Sequence, residues 1–277
     1  QLANIECCCL HPLAGSGCEK NAAFLADLRA WCRIAGQVYV WSYFTDFRYY
    51  DLPFPNLRST GANLRLFADL GVRGVFAQSH GGSVSGDMSD LRNYVLARLL
   101  WNPYLDGWSL VEEFCRLHYG PAGEEILAYL VRLHDRAEGL GIHPACFATP
   151  EELGLDEGFA REAMEAFARA RAAAVERGGP EHVARVEKAS LSAHRAMIEA
   201  GAPLGYAGGT VRRAWPAPYE NIVEDYLRLA EACGLDAPDE RTTMAEHRER
   251  LRRDGGAGRP AELLENESWR LVFLPEE

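Results

Sequence analysis

Apolar positions recur along this chain with two periods, and the pattern changes near Trp101. Before it, short β-type runs alternate with helix-type stripes. Asn4 to Leu10 (NIECCCL) is a short apolar run and predicts a first strand. Lys20 to Ile34 repeats Phe24, Leu25, Leu28, Trp31 and Cys32 at helical spacing. Gln37 to Tyr43 predicts a second strand. Asn56 to Leu70 predicts a helix, and Val72 to Gln78 a third strand. Asp87 to Leu100 predicts a helix capped by Asp87, with a stripe of Leu91, Tyr94, Val95 and Leu99. The crossovers are long enough for parallel strands.

After Trp101 the pattern is helical and rich in Ala, Arg and Glu. Ser109 with Glu112 reads as a capping box, and so does Thr149-Pro150-Glu151-Glu152. Helices are predicted at about 122–138, 157–177, 180–200, 218–233 and 244–253, each with an apolar stripe and a charged face. His134 and His194 fall on such stripes and read as core histidines. Trp101-Asn102-Pro103 reads as a helix end packed on the sheet edge. DGGAGRP at 254–260 is a flexible joint before a last short element ending in WRLVFLP. The fold class is therefore α/β in residues 1–105, followed by an all-α helical domain with a short C-terminal extension in 106–277. Three βα units do not close an eight-stranded barrel. They fit its last three units or part of an open doubly wound sheet.

Composition is that of a globular protein: 277 residues, 48% hydrophobic and 25% charged. The formal net charge of -11 argues against a nucleic-acid or anionic-membrane partner. No run approaches the roughly 20 apolar residues of a membrane span. The chain begins without a signal-peptide pattern or initiator Met and reads as a segment of a longer protein. The eight Cys show no C-x-x-C pair and read mostly as small buried hydrophobes.

In parallel β/α architectures the loops after the strands' C-terminal ends carry function. Val38 to Asn56 (VYVWSYFTDFRYYDLPFPN) holds eight of the chain's 28 aromatics. Strand period puts Tyr39, Trp41 and Tyr43 on one face, and Val38, Val40 and Ser42 on the other. Rings with polar tips suit the C–H face and hydroxyls of a sugar. Trp41 and Tyr43 are thus candidate platforms, joined by the loop residues Asp46, Tyr49 and Tyr50. GVFAQSHGG adds Gln78 and His80, and His11 follows the first strand. HGGSVSG resembles an oxyanion loop, but no G-x-S-x-G elbow accompanies it. A zinc site from Cys8, His11 and Cys18 would use the usual thiolate and imidazole ligands, but the second Cys pair is missing. No metal and no cofactor is therefore predicted. Glycoside hydrolysis normally needs two carboxylates. Asp46, Asp51 and Asp87 are the acids near strand ends; Asp51 reads as shaping a turn, so no catalytic pair is visible.

Four blocks carry a likeness: VYVWSYFTDFRYYDLPFPNL, GVRGVFAQ, LRNYVLARLLWNP and EEFCRLHYGPAG. They resemble a bacterial family of glycosyl-hydrolase-like domains of unknown function, distantly similar to alpha-glucuronidases and beta-hexosaminidases. The likeness covers about the first 140 residues, and RVEKASLSAHRAMI extends it weakly. It implies the C-terminal βα units of a TIM-type (β/α)8 barrel, a carbohydrate ligand, an upstream half-barrel or self-association as partner, and an exported location. It also implies a pocket role for Trp41, Tyr43, Asp46 and Gln78. In the family an acid commonly stands where this chain has Ser42 and another where it has Ala77, both expected to face the mouth. Their loss leaves two main readings: a glycoside hydrolase whose acids lie upstream, or a non-catalytic carbohydrate-binding protein. A metal-dependent hydrolase using His11 and Cys8 is a third.

Overall fold

A computed structural model describes residues 1–273 except 16, 82, 202–203, 208, 216, 258 and 266–269. Three parallel strands form the first sheet in the order β1 (Leu2–Ala3), β2 (Tyr39–Tyr43), β3 (Gly74–Gln78). The register pairs Leu2 with Val40, Trp41 with Phe76 and Tyr43 with Gln78. Helices α1 (Glu19–Ile34), α2 (Leu57–Asp69) and α3 (Ser89–Trp101) follow the strands. The β-α-β-α-β-α reading and its parallel sheet are found.

The first strand is not where the apolar run placed it. The Asn4 N–H still donates to the Trp41 carbonyl, but the Cys7 N–H then donates back to the Asn4 carbonyl and turns the chain. Cys7 to Leu10 are consecutive apolar positions without alternation, and they pack as loop. Asp87 does not cap α3: Met88 takes that place in a left-handed conformation (φ 46°), while Asp87 turns to Arg92. Trp101 is 92% exposed instead of packed on the sheet edge.

The helical part runs α4 (Gly107–His118), α5 (Gly123–Gly139), α6 (Glu157–Arg177), α7 (Pro180–Ala189), α8 (Leu191–Ala200), α9 (Ile222–Ala232) and α10 (Met244–Arg252). The cap of α4 is Asp106, which accepts from the Ser109 N–H, so Ser109 sits one turn inside. The box at Thr149 and Glu152 is made in both directions, yet it closes a turn, and α6 begins after its own cap at Asp156. The expected helix over 180–200 is two helices. The Ser190 hydroxyl returns to the Glu187 carbonyl at their junction. Sequence patterning missed the hairpin of β4 (Leu204–Ala207) and β5 (Thr210–Arg213), which turns at Gly209 (φ 76°). Strand β6 (Arg259–Pro260) extends it, and β7 (Glu262–Glu265) pairs with β8 (Arg270–Phe273). Trp269, Leu274 and Pro275 of the closing WRLVFLP run lie outside the described residues.

α4 packs on α2 and α3, α5 on α4, and α6 against α5, α7 and α8. One buried apolar cluster runs from Cys7 through Val40, Phe67 and Val111 to Tyr226 and Leu251. It crosses the boundary expected near residue 105. Val38 and Val40 of the sheet's small-residue face are buried in it with Leu28, Leu64 and Phe67 of the covering helices.

Candidate functional site

The opposite face of the same sheet is open. Register and period bring Tyr39, Trp41 and Tyr43 of β2 beside Gly74, Phe76 and Gln78 of β3. Tyr39 is 47% and Phe76 55% exposed; Trp41, Tyr43 and Gln78 are half-buried. Trp41 stacks along Tyr43 with centroids 6.2 Å apart and planes 15° from parallel. Phe76 meets Trp41 edge-on at 5.0 Å. The Trp41 indole N–H donates to the Gln78 side-chain oxygen, which fixes both side chains. A Cβ at Gly74 would come within 3.0 Å of the Tyr39 ring, so glycine lets that ring lie over β3. From Tyr43 the rings continue edge-on to Phe47 (5.7 Å), and Phe47 meets Phe147 at 5.6 Å.

Buried polar groups hold the loop after β2. At its exit, Arg92 donates to the Asp87 carboxylate, Asn56 Oδ1 and the Phe54 carbonyl, while the Phe54 N–H donates to Asp87. At its tip, Asp51 is fully buried and accepts from the Tyr226 hydroxyl at 2.6 Å, with Arg195 3.9 Å away. Arg195 also reaches Glu199 and His247. Burial pushes the Asp51 carboxyl up against the pull of Arg195, and pushes His247 down to about 2. His247 is thus a neutral imidazole set between two guanidinium groups, with Arg195 at Nε2 and Arg250 at Nδ1, and only its unprotonated nitrogen accepts. The turn-shaping role of Asp51 is in fact a tie between the loop and helices α8, α9 and α10.

The predicted site residues separate into groups. Trp41, Tyr43 and Gln78 share the open face. Tyr49 stands farther along the loop, its ring 5.1 Å from the Arg195 guanidinium. Asp46 is fully buried, one oxygen accepting from the Arg48 N–H at 2.8 Å. Burial raises its carboxyl to about 8, so it is largely neutral and shapes the loop from beneath. His80 is buried beside Tyr50 and Ser79. Tyr50 is itself buried, and burial with nearby Glu240 and Asp239 lifts its hydroxyl to about 12. His11 belongs to another cluster, with Cys8 and His143. Ser42 and Ala77 do not face the mouth. Ser42 is buried on the helix side, accepting from Asn4 Nδ2, and its register partner Ala77 packs into the same core.

A cavity of about 430 Å³ opens where the loop meets the chain before α10. Its lining includes Phe47, Tyr49, Phe147, Glu240, Arg241 and Arg250. Burial, then Cys146 and Glu240, push the Tyr43 hydroxyl up. Sequence reading missed Phe76, Phe147 and Glu240. Phe76 had a signal, because it lies two residues before Gln78 on a strand. Phe147 and Glu240 arrive from distant loops and had none. A second cavity, of about 660 Å³, lies between α4 and the start of α5 and holds none of the predicted residues.

The fold and site define an α/β protein with an open aromatic sheet face and a helical array packed behind it. Residues 1–131 match a family described as a domain of unknown function, DUF4838. The match spans the three βα units, α4 and the first half of α5. No curated protein and no solved structure matches the chain. Among the described residues, no helix is long and apolar enough to cross a membrane.

Proposed function

We propose that this chain is the carbohydrate-engaging part of a glycoside-hydrolase-like protein, and that the open face of its parallel sheet is the sugar platform. The observation that carries this reading is the ring row Tyr39, Trp41, Tyr43 and Phe76, half-buried to exposed on strands whose other face packs into the core. Stacked rings offer flat apolar area to the C–H faces of a pyranose, and Gln78 and the Tyr hydroxyls supply the polar rim. In this proposal the face is part of the inner wall of a TIM-type barrel, a reading supported by three parallel strands with helices on the other side. The rest of that wall, from an upstream part of the protein or from a second copy, is part of the proposal.

Thermal shift and tryptophan emission, followed against a panel of neutral and acidic mono- and oligosaccharides, test it. At least one sugar should raise the melting temperature, and Trp41→Ala should abolish the response. Silence across the panel, with Trp41→Ala also neutral, would overturn it.

A second reading, a binding protein without turnover, is favoured by the state of the two loop acids. Asp46 is buried and largely neutral, and Asp51 is committed to Tyr226 and Arg195. Hydrolysis of an aryl glycoside by the purified protein, lost on replacing a carboxylate, excludes that reading and supports the enzyme.

A further inference from the structure

The loop after β1 and the turn after α5 meet at a cluster of sulfur and imidazole groups that the sugar platform does not use. The possible ligand atoms of Cys8, Cys18 and His143 all lie within 4.8 Å of one another. His11 stands beside them, its Nδ1 3.2 Å from Cys8 Sγ and its ring 4.5 Å from that of His143. We propose that Cys8, Cys18 and His143, with His11 as fourth ligand, bind a zinc ion that staples residues 8–18 to the turn at 143.

Two thiolates and two imidazoles are a donor set zinc favours for closed tetrahedral sites. Metal–ligand bonds of about 2.0–2.3 Å put neighbouring ligand atoms about 3.3–3.8 Å apart. Cys8, Cys18 and His143 reach that with small side-chain adjustments, and His11 swings in from its place beside Cys8 to complete the set. The surroundings are built for it. Asn21 is fully buried and ties the loop from inside: its Oδ1 accepts from the Cys8 N–H at 2.8 Å. Its Nδ2 donates to the carbonyls of Cys8, His11 and Pro12. Leu10, Ala137 and Ile142 close the inner side around the two buried cysteines, and His143 is exposed, leaving an entry path. The Cys9 N–H donates to the Pro144 carbonyl at 2.8 Å, so the two segments are already docked. Binding releases the two thiol protons as the metal–sulfur bonds form, and no electron transfer is involved. The ion would cross-link positions more than a hundred residues apart, where a clip removes the most chain entropy. Its ligands come from both sides of residue 105, so the metal would tie the βα units to the helical array.

The test is metal analysis of the untagged chain, purified under reducing, chelator-free conditions, equilibrated with zinc and desalted. The expected result is about one zinc per chain, retained in Cys115→Ser and lost in a Cys8→Ser, Cys18→Ser double variant. Cobalt titration of the wild type guards against a variant that fails to fold. It should give the intense visible bands of a tetrahedral ion and a sulfur-to-cobalt charge-transfer band. Chelation should lower the melting temperature of the wild type. Zinc below about a tenth of an equivalent, octahedral cobalt spectra without a sulfur band, or a Cys8–Cys18 disulfide in the purified protein would each overturn the proposal.

Discussion

The two sides of the segment from Val38 to Asn56 are built for opposite purposes. On one side, Val38, Val40, Phe44, Leu52 and Phe54 are buried in the core shared with the helices. Two buried ionic groups, Asp87 with Arg92 and Asp51 with Arg195, tie the same side down. On the other, Tyr39 and Phe76 are about half exposed and Trp41 and Tyr43 are partly open. The first side is packed as a core. The second leaves large rings toward water, which costs solubility unless something covers them. Rigid support beneath exposed rings is the arrangement that presents flat apolar surface at low entropic cost on binding.

That contrast predicts unequal responses to substitution. Phe54→Ala, at 1% exposure, should cost about 3–5 kcal/mol in chemical denaturation. Arg195→Met leaves Asp51 buried without its cation and should cost a similar 3–5 kcal/mol, roughly. Losses below about 1 kcal/mol for either would show that the loop is not clamped as described.

Intermediate effects should come from pH. Burial holds His134 down at about 3, with its Nε2 accepting the Leu57 N–H. Below about 6.5 the unfolded chain takes a proton that the native imidazole refuses, so this contribution to stability is lost as pH falls. Asp46 works in the opposite direction. Its carboxyl stays protonated to about 8 in the fold, so its contribution is lost as pH rises from about 4 to about 8. Asp46→Asn removes that limb. The variant's denaturation midpoint relative to wild type should therefore climb from pH 4 to pH 8, whereas a constant difference would mean that Asp46 is ionised and solvated.

The smallest effect should fall on the open face. Phe76→Ser should change stability by less than about 0.5 kcal/mol. A loss comparable to that of Phe54→Ala would mean that this face is covered in solution, and sedimentation would then identify a second copy.

Much of this contrast is legible in the residues themselves. Alternation in VYVWSY separates rings from small side chains, and helical stripes such as Phe159, Ala163, Phe167 and Ala170 mark buried helix faces. The same parity on β3 puts Phe76 on the ring face and Ala77 on the helix face. The first strand failed because burial of a loop mimics burial of a strand: Cys7, Cys8 and Leu10 are apolar for their neighbours' sake, without ladder partners. The fates of Asp46 and Asp51 depend on Ala148, Arg195 and Tyr226, far along the chain. No local pattern announces such partners. The same distance hid His143 from the two cysteines and His11, which were visible only as an incomplete ligand set.

The most direct measurement is calorimetric titration of a responding oligosaccharide into the wild-type chain and into Trp41→Ala, with thermal melts recorded on both. Sugar binding by the wild type, weakened at least about tenfold in the variant with little change in melting temperature, is the predicted result. Equal affinity in the two proteins would contradict the assignment of the open ring face as the platform.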